Sequence, residues 1–474
     1  MSREMTILAT LVVYKVTLVL IGLWARGRTH NNADFFIAGR HLGPVVASFS
    51  YAASSASAWS LLGLSGAAYV MGLSVLWLFA GLIMGHALSW FWVAPRLHRI
   101  AHREGLVTLT DFLALEGDAR CRRWITWAAS GMITFCFLFY VAAQFQAAGN
   151  SFAATFDISV TESVVGGGVI ILIYTLLGGF WAVSMTDMLQ GMLMLLAALV
   201  LPVTAFLEVG GWSGFWQGLE GVASPSELSP TGPNTGLMAL GFVLGTMSVG
   251  LGTVGQPHLL ARYMALRDQR SVRIAQRMAV LWFIIVLGNM ILLGLCGKIL
   301  VHQAGNPENL FFILTEQLFP TVIGAIFLAA VLSAIMSTAD SQLLVSAAAV
   351  AHDIMGEPNE GESRLKISRF VITVLCALAI VVALTLPESI FSRVLFAWNA
   401  LGSAFGPVVV LRLAGLRLRA QSIVPAMVTG FGLTVYFYLR PDSVGDILER
   451  MLPFLLASLM LFVFRVKHTE RKTT

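Results

Sequence analysis

Residues 318–350 form one long apolar run, and its middle holds Ser337-Thr338-Ala339-Asp340-Ser341-Gln342. A carboxylate and three hydroxyls at that depth in a bilayer are costly unless they face a bundle interior, a water-filled cavity or an ion. Hydroxyls and backbone carbonyls are ligands that a hard monovalent cation such as sodium accepts. Bond cleavage fits less well. No His/Cys cluster, nucleophile elbow or phosphate-binding glycine loop stands at a membrane face, and mid-membrane polar groups suit ion ligation.

The elements that must hold these residues are apolar helices. The chain has 474 residues, is 57% hydrophobic and 12% charged, and has a mean hydropathy of +0.81. Soluble domains are about a quarter charged, so the composition is that of an all-α polytopic membrane protein. A helix needs about 20 apolar residues to span the bilayer. Thirteen stretches approach this, near 5–25, 45–66, 74–95, 125–147, 163–181, 188–207, 236–256, 275–300, 318–348, 367–386, 391–411, 420–438 and 448–465. The first lacks a small-residue cleavage site and ends at Arg26 and Arg28, which reads as a retained span rather than a signal peptide. The connecting segments, of which roughly 96–124 and 207–235 are the longest, are too short for independent cores, so one membrane domain is expected. In the second of these, Pro225, Pro230 and Pro233 with Gly232 and Gly236 mark an irregular connector. Cys136, Cys296 and Cys376 fall inside spans and Cys121 in a basic loop, with no metal-ligand spacing and no expected disulfide.

Lysine and arginine mark cytoplasmic loops. Odd-numbered loops carry them: Arg96, Arg99, Arg103, Arg120, Arg122 and Arg123 in one, Arg262, Arg267, Arg270, Arg273 and Arg277 in another. Later come Arg364, Lys366 and Arg369, then Arg412, Arg417 and Arg419, then the tail with Arg465, Lys467, Arg471 and Lys472. The even loops are poor in basic residues: 148–162 has Asp157 and Glu162, and 207–235 has Glu208, Glu220 and Glu227 with no lysine or arginine. The alternation predicts the N-terminus outside and the C-terminus in the cytoplasm. The net charge of +5 needs no nucleic-acid partner, and no obligatory protein partner is indicated.

Two spans are unusually small-residue-rich. The second runs Ser48-Phe49-Ser50-Tyr51-Ala52-Ala53-Ser54-Ser55-Ala56-Ser57-Ala58-Trp59-Ser60, and the seventh Gly245-Thr246-Met247-Ser248-Val249-Gly250-Leu251-Gly252-Thr253-Val254-Gly255-Gln256-Pro257. One reading is close backbone packing. The other follows from their spacing: five spans apart is the mark of a five-plus-five inverted repeat whose first helices unwind at mid-membrane. The repeats would cover 44–210 and 236–415, flanked by 1–43 and 416–474. Unwinding frees carbonyls for a cation and aims half-helix N-termini, each with about half a positive charge, at a substrate carboxylate. With the first span outside the repeat, the ninth span passes the break in the second. The cradle expected there is the carbonyls of Ala53, Ala56 and Ala334 with the hydroxyls of Ser337 and Thr338, five oxygens without net charge.

The chain resembles the sodium:solute symporter family, and within it the sodium/proline branch. The likeness runs from Phe36-Ile37-Ala38-Gly39-Arg40 and Leu42-Gly43-Pro44 through Trp59, Gly63 and Gly66 to Gly178-Gly179-Phe180-Trp181-Ala182-Val183-Ser184 with Thr186-Asp187 and Gln190. It continues in Gly255-Gln256-Pro257-His258, Ala261-Arg262, Met336-Ser337-Thr338, Gln342-Leu343-Leu344 and Phe405-Gly406-Pro407-Val408-Val409. The resemblance implies a LeuT-type core, alternating access and sodium as the co-transported ion, with no other cofactor. Its main sodium site falls on Ala53, Ala56, Ala334, Ser337 and Thr338, the set already reached. A second, inner cation site known in some members falls on Asp187, Asp340 and Ser341, where two converging carboxylates would bind a cation or share a proton. Tyr140 matches a pocket tyrosine of the branch. Three positions depart from the branch: Ser55 replaces a sodium-linked aspartate, while Val249 and Thr253 replace a tryptophan and a tyrosine.

The expected function is symport of one small organic solute, an amino acid such as proline, with sodium. The solute's carboxylate would meet the break near Ser57 and Ala58, and its body would lie among Trp59, Tyr140, Val249 and Thr253. No lysine or arginine points clearly to the midplane, which argues against multiply charged anions. Proton coupling through Asp187 and Asp340, import of a small monocarboxylate, and a transporter-like sensor are the alternatives. Asp187 also reads as a helix N-cap, Lys15 as a side chain that snorkels or packs against a polar neighbour, and His258 as a structural hydrogen-bonding residue. Gln144 and Gln146 point to different faces, one to the pocket and one between helices. Asn399 is open between a solute contact and an interhelical bond.

Overall fold

In a computed structural model, the structure describes residues 3–26, 37–156, 158–177, 179–354, 362–386, 390–441 and 443–466. Arg28, Phe36, Asp157, Gly178, Lys467, Arg471 and Lys472, singled out above, lie outside the described residues.

Helix accounts for nearly all of the described chain, as the apolar runs require: in hydrocarbon each backbone group must be satisfied within its own segment. The helices that concern the site are α1 (Arg3–Arg26), α2 (Pro44–Ser55), α3 (Leu64–Met71), α4 (Leu76–Leu88), α5 (Ala94–Glu104), α6 (Ala119–Phe156), α7 (Val160–Leu177), α8 (Phe180–Glu208), α9 (Gly236–Ser248), α10 (Pro257–Ala265), α11 (Gln269–Leu300), α12 (Thr321–Ala348), α13 (Glu362–Thr385), α14 (Ile390–Leu413), α15 (Ala420–Tyr438) and α16 (Leu452–Val463). Ten described helices are long and apolar enough to cross a membrane. The thirteen apolar stretches all fall on helix, but the counts differ for a physical reason. Residues 59–104 run almost continuously, so the third stretch shares a helix with half of the second, and the apolar part of α7 at 160–173 and the helix Leu452–Val463 are short.

Helices α12 and α14 are the buried centre, with 78% and 89% of their most apolar window covered by neighbours, against 22% for α1. Helix α2 packs on α8, α11, α12 and α10, and α1 lies outside on α8 and α12. Within 207–235 the stretch marked by Pro225, Pro230 and Pro233 is irregular apart from one short helix, Pro225–Leu228. Gly211–Val222 is helical and buries Phe215 and Leu219 on one face, because Trp212, Phe215, Trp216 and Leu219 recur at helical spacing. Glu227 beyond it is paired with Lys298 of α11, whose ammonium also donates to the carbonyl of Tyr69 at 3.0 Å.

Both small-residue spans are broken. Helix α2 stops at Ser55, Ala56 leaves helical geometry (φ −87°, ψ 82°), and helix resumes through a wide turn at Trp59–Gly63. In the other span α9 passes into a tight 3-10 segment, Val249–Gly255, then an extended Gln256, then α10. Close packing and unwinding prove compatible here. A Cβ on Gly250 would lie 2.0 Å from the Gly81 carbonyl oxygen, and one on Gly85 2.2 Å from that of Gly250. On the other side a Cβ on Gly252 would meet the Trp398 ring at 2.2 Å. The unwound segment is thus clamped between α4 and α14, backbone to backbone. Gly250→Ala is expected to cost about 1–3 kcal/mol by overpacking, read as a lower unfolding temperature in detergent. Wild-type stability in that variant would contradict the clamp.

Candidate functional site

The break in α2 strands the last carbonyls of a helix, which carry partial negative charge and lack intrahelical partners. Ala52 keeps one, from the Ala56 N–H at 2.8 Å. The next two are met from α12: Ser337 Oγ donates toward Ala53 O at 2.8 Å, and Thr338 Oγ1 toward Ser54 O at 3.1 Å. Ser337 Oγ also lies 2.8 Å from Ser333 O and 3.3 Å from Ala334 O. A hydroxyl has one proton, yet three carbonyl oxygens converge on it. The surplus of lone pairs makes this an electronegative spot in the bundle interior, where Ala53, Ala56, Ala334, Ser337 and Thr338 are all fully buried. Of the five expected ligands, the oxygens of Ala53, Ala334 and Ser337 form one cluster. Thr338 points one residue further, and Ala56 stands at the break itself.

The other side of the break begins a half-helix. Its first N–H groups are occupied: Ala58 N donates to Gln144 Oε1 at 3.2 Å, and Trp59 N to Ser57 Oγ at 3.2 Å. A solute carboxylate docking at Ser57 and Ala58 must therefore displace Gln144, whose Nε2 is buried without a partner. Gln146, two residues on, accepts from Arg393 at 2.8 Å, so the two glutamines do serve different faces. Beside this half-helix lies a narrow cavity walled by Ser55, Trp59, Tyr140, Val249, His86 and Trp398 among others. Tyr140 reaches Ser57 Oγ at 3.4 Å. Thr253 is buried one 3-10 turn past Val249, outside the cavity lining, with its hydroxyl unpartnered. The second break closes the far wall: Trp398 Nε1 donates to Val249 O at 3.1 Å, and Gln256 Nε2 to Gly252 O and Trp398 O at 3.0 and 2.9 Å.

Below the break the structure departs from expectation. Asp187 neither opens α8 nor caps it. Gly179 is the N-cap, and Asp187 sits two turns inside, because Phe180-Trp181-Ala182-Val183 are apolar enough to carry the helix back to residue 180. Nor does it share a hydrogen-bonding partner with Asp340. Asp187 Oδ2 accepts from Ser50 at 2.7 Å, Ser54 at 3.1 Å and Arg262 Nη2 at 3.1 Å, with both charged side chains fully buried. Ser341, by contrast, does join this cluster, 2.9 Å from Ser54 Oγ and 2.6 Å from Arg262 Nη2. Asp340 is one residue, and so about 100° of helix, away from Ser341. It turns toward α7, where Thr175 Oγ1 donates to it at 2.5 Å. The expected second cation set, Asp187, Asp340 and Ser341, is therefore divided.

Arg262 is the correction that matters most. Counted with a basic loop, it is instead 1% exposed on α10. Pro257 restarts the helix after the break, which carries residues 257–265 back into the bundle. Arg393 is likewise buried on α14, next to the cavity residues Val394 and Leu395. His86 was also missed; its Nδ1 lies 3.1 Å from Tyr51 Oη and its ring stacks on Phe283 at 3.6 Å. The signal was present: an ionisable residue amid apolar neighbours. Asn399 resolves as an interhelical bond, donating to Glu449 at 3.3 Å. Of the two readings of Lys15, snorkelling and packing against a neighbour, the side chain takes the second, against Met336 Sδ. His258 gives its carbonyl to Arg262 Nη1 and sets its ring edge-on to Phe137.

A model of the sodium:solute symporter family matches residues 35–430. The chain belongs to the sodium:solute symporter family. Among its relatives, sodium/proline symporter 2 of Staphylococcus saprophyticus is 30% identical, the match covering 97% of this chain and 92% of that one. The osmoregulated proline transporter OpuE of Bacillus subtilis is 31% identical over 90% and 87%, and a sodium/proline symporter of Staphylococcus aureus 32% over 89% and 83%. The fold matches a sodium-coupled sialic acid symporter in a substrate-bound, outward-open state with a TM-score of 0.80, at 17% identity over 97% of this chain and 98% of that one. A nucleobase-cation-symport-1 family transporter in a closed conformation follows at a TM-score of 0.56, 12% identity and 92% and 95% coverage. This member of the family is thus a multi-pass membrane transporter with a LeuT-type core.

Proposed function

We propose that this transporter imports a small amino acid, proline first, together with sodium held by Ala53, Ala56, Ala334, Ser337 and Thr338. The observation that carries the reading is the convergence of the broken end of α2 on the Ser337 hydroxyl. An arriving cation would let that hydroxyl turn its lone pair inward, replacing one shared proton by ligation from every oxygen. Neutral ligands keep the site inexpensive when vacant, which release requires. Sodium bound across the break would join α2 to α12 and fix the half-helix beginning at Ala58.

The substrate class rests on the named relatives and on the cavity's chemistry. Its walls are mostly apolar, with Ser55, Ser60, His86 and Tyr140 as polar points, which suits a compact zwitterion with an aliphatic body. Ser57, Ala58, Trp59, Tyr140 and Val249 are the contacts proposed for it, with Thr253 supporting from behind. The loop arginines orient the N-terminus outside and the C-terminus in the cytoplasm, and the repeats comprise 44–210 and 236–415.

A thermal-shift screen of purified transporter tests this. Proline, other small amino acids and small monocarboxylates are compared in sodium and then in potassium. Stabilisation by proline in sodium alone is the expected result. Equal stabilisation in potassium would remove the coupling, and a response confined to monocarboxylates would reassign the solute.

A further inference from the structure

We propose that the Arg262 guanidinium is a resident cation filling an oxygen cradle made by Asp187, Ser54 and Ser341, so that this transporter moves one sodium per solute and not two. The inference rests on the sodium reading above. It adds that the second positive charge is covalently part of the chain.

The cradle is drawn from three helices. Nη2 of Arg262 lies 2.7 Å from Ser54 Oγ, 2.6 Å from Ser341 Oγ and 3.1 Å from Asp187 Oδ2. Three oxygens around one cationic nitrogen, one of them a carboxylate, form the donor set a sodium ion would use. The remaining guanidinium nitrogens are anchored elsewhere, Nε on Ser50 Oγ at 3.2 Å and Nη1 on the His258 carbonyl at 2.5 Å, while the Phe180 ring lies 5.0 Å from the guanidinium carbon. Asp187 is fully buried and its Oδ1 has no hydrogen-bond partner. A carboxylate so placed demands a positive partner, and with Asp340 turned to Thr175 the partner available in the cradle is Arg262. Arginine stays protonated under all ordinary conditions, so the position is permanently occupied and cannot load or release an ion.

The cradle also touches the proposed sodium site. Ser54 gives its side chain to Arg262 and its carbonyl to Thr338, so the fixed and the mobile cation are separated by one residue. A sodium ion arriving at Ala53 meets a positive neighbour already neutralised by Asp187. Removing the guanidinium charge while keeping Asp187 leaves an anionic cradle open to a second ion.

The test measures sodium-22 and labelled proline fluxes together in proteoliposomes holding the full-length transporter, with equilibrium sodium-22 binding to the purified protein. Wild type is expected to move one sodium per proline and to bind one. Arg262→Gln is expected to bind two, Arg262→Lys one, and Arg262→Gln with Asp187→Asn one again. Two sodium ions per proline in wild type would overturn the proposal, and that reading stands alone should Arg262→Gln fail to fold. Unchanged single binding in a folded Arg262→Gln protein would overturn it too. Loss of all sodium dependence in wild type is a different result and would overturn the sodium reading itself along with this inference.

Discussion

Ser337→Ala is expected to raise the sodium concentration that half-saturates proline uptake by about ten- to a hundredfold. The hydroxyl is the point on which Ala53 O, Ser333 O and Ala334 O converge, and unlike those carbonyls it can turn from donor to acceptor. A contact to a charged group is worth about 1.5–3 kcal/mol, and each 1.4 kcal/mol is about a factor of ten in affinity. The transporter should still fold, because the carbonyls on either side of Ala53 O, those of Ala52 and Ser54, remain partnered. Ser337→Thr keeps the hydroxyl and should stay near wild type. Uptake kinetics at varied sodium and fixed proline decide the matter. An unchanged half-saturation in Ser337→Ala would place the ion elsewhere.

Asp187→Ala should be the most damaging single change in the bundle. It leaves the Arg262 guanidinium in a fully buried site with only neutral partners, three serines and the His258 carbonyl. Removing one partner of a buried pair costs about 3–5 kcal/mol, whereas removing both charges together is far milder. The expected sequence of thermal unfolding temperatures is wild type highest, the Asp187→Asn, Arg262→Gln pair next, and Asp187→Ala lowest with poor yield. If Asp187→Ala unfolded at the wild-type temperature, the ion pair would contribute nothing to holding α8 and α10 together.

The two outcomes differ in how readable they were. Ser337 and Thr338 stood out because hydroxyls in an apolar run have few explanations, and the breaks at Ala56 and Val249–Gly255 followed from two small-residue spans with the spacing of a repeat. Both depend on local composition, which a chain displays openly. Asp187 and Arg262 are 75 residues apart in sequence, and nothing local to either announces the other. In sequence Arg262 reads with Arg267 and Arg270 because they are near neighbours. Three-dimensional packing separates them: Arg262 lies on α10 within the bundle, while Arg267 is exposed beside Asp268. Asp340 and Ser341 show the same limit at finer scale. One residue of helical rotation sends one to α7 and the other to the arginine, and the sequence spacing of α12 does not say which neighbour waits on each face. Gln144 illustrates the converse. Its spacing from Gln146 required different faces, and the side chains took them.

The most direct test concerns coupling itself. Purified transporter in proteoliposomes is given labelled proline under an imposed inward sodium gradient, and separately under an imposed inward proton gradient in sodium-free potassium buffer. Accumulation above equilibrium with the sodium gradient, and none with the proton gradient alone, is the result expected from neutral oxygens at the break of α2. Accumulation driven by protons without sodium would contradict it.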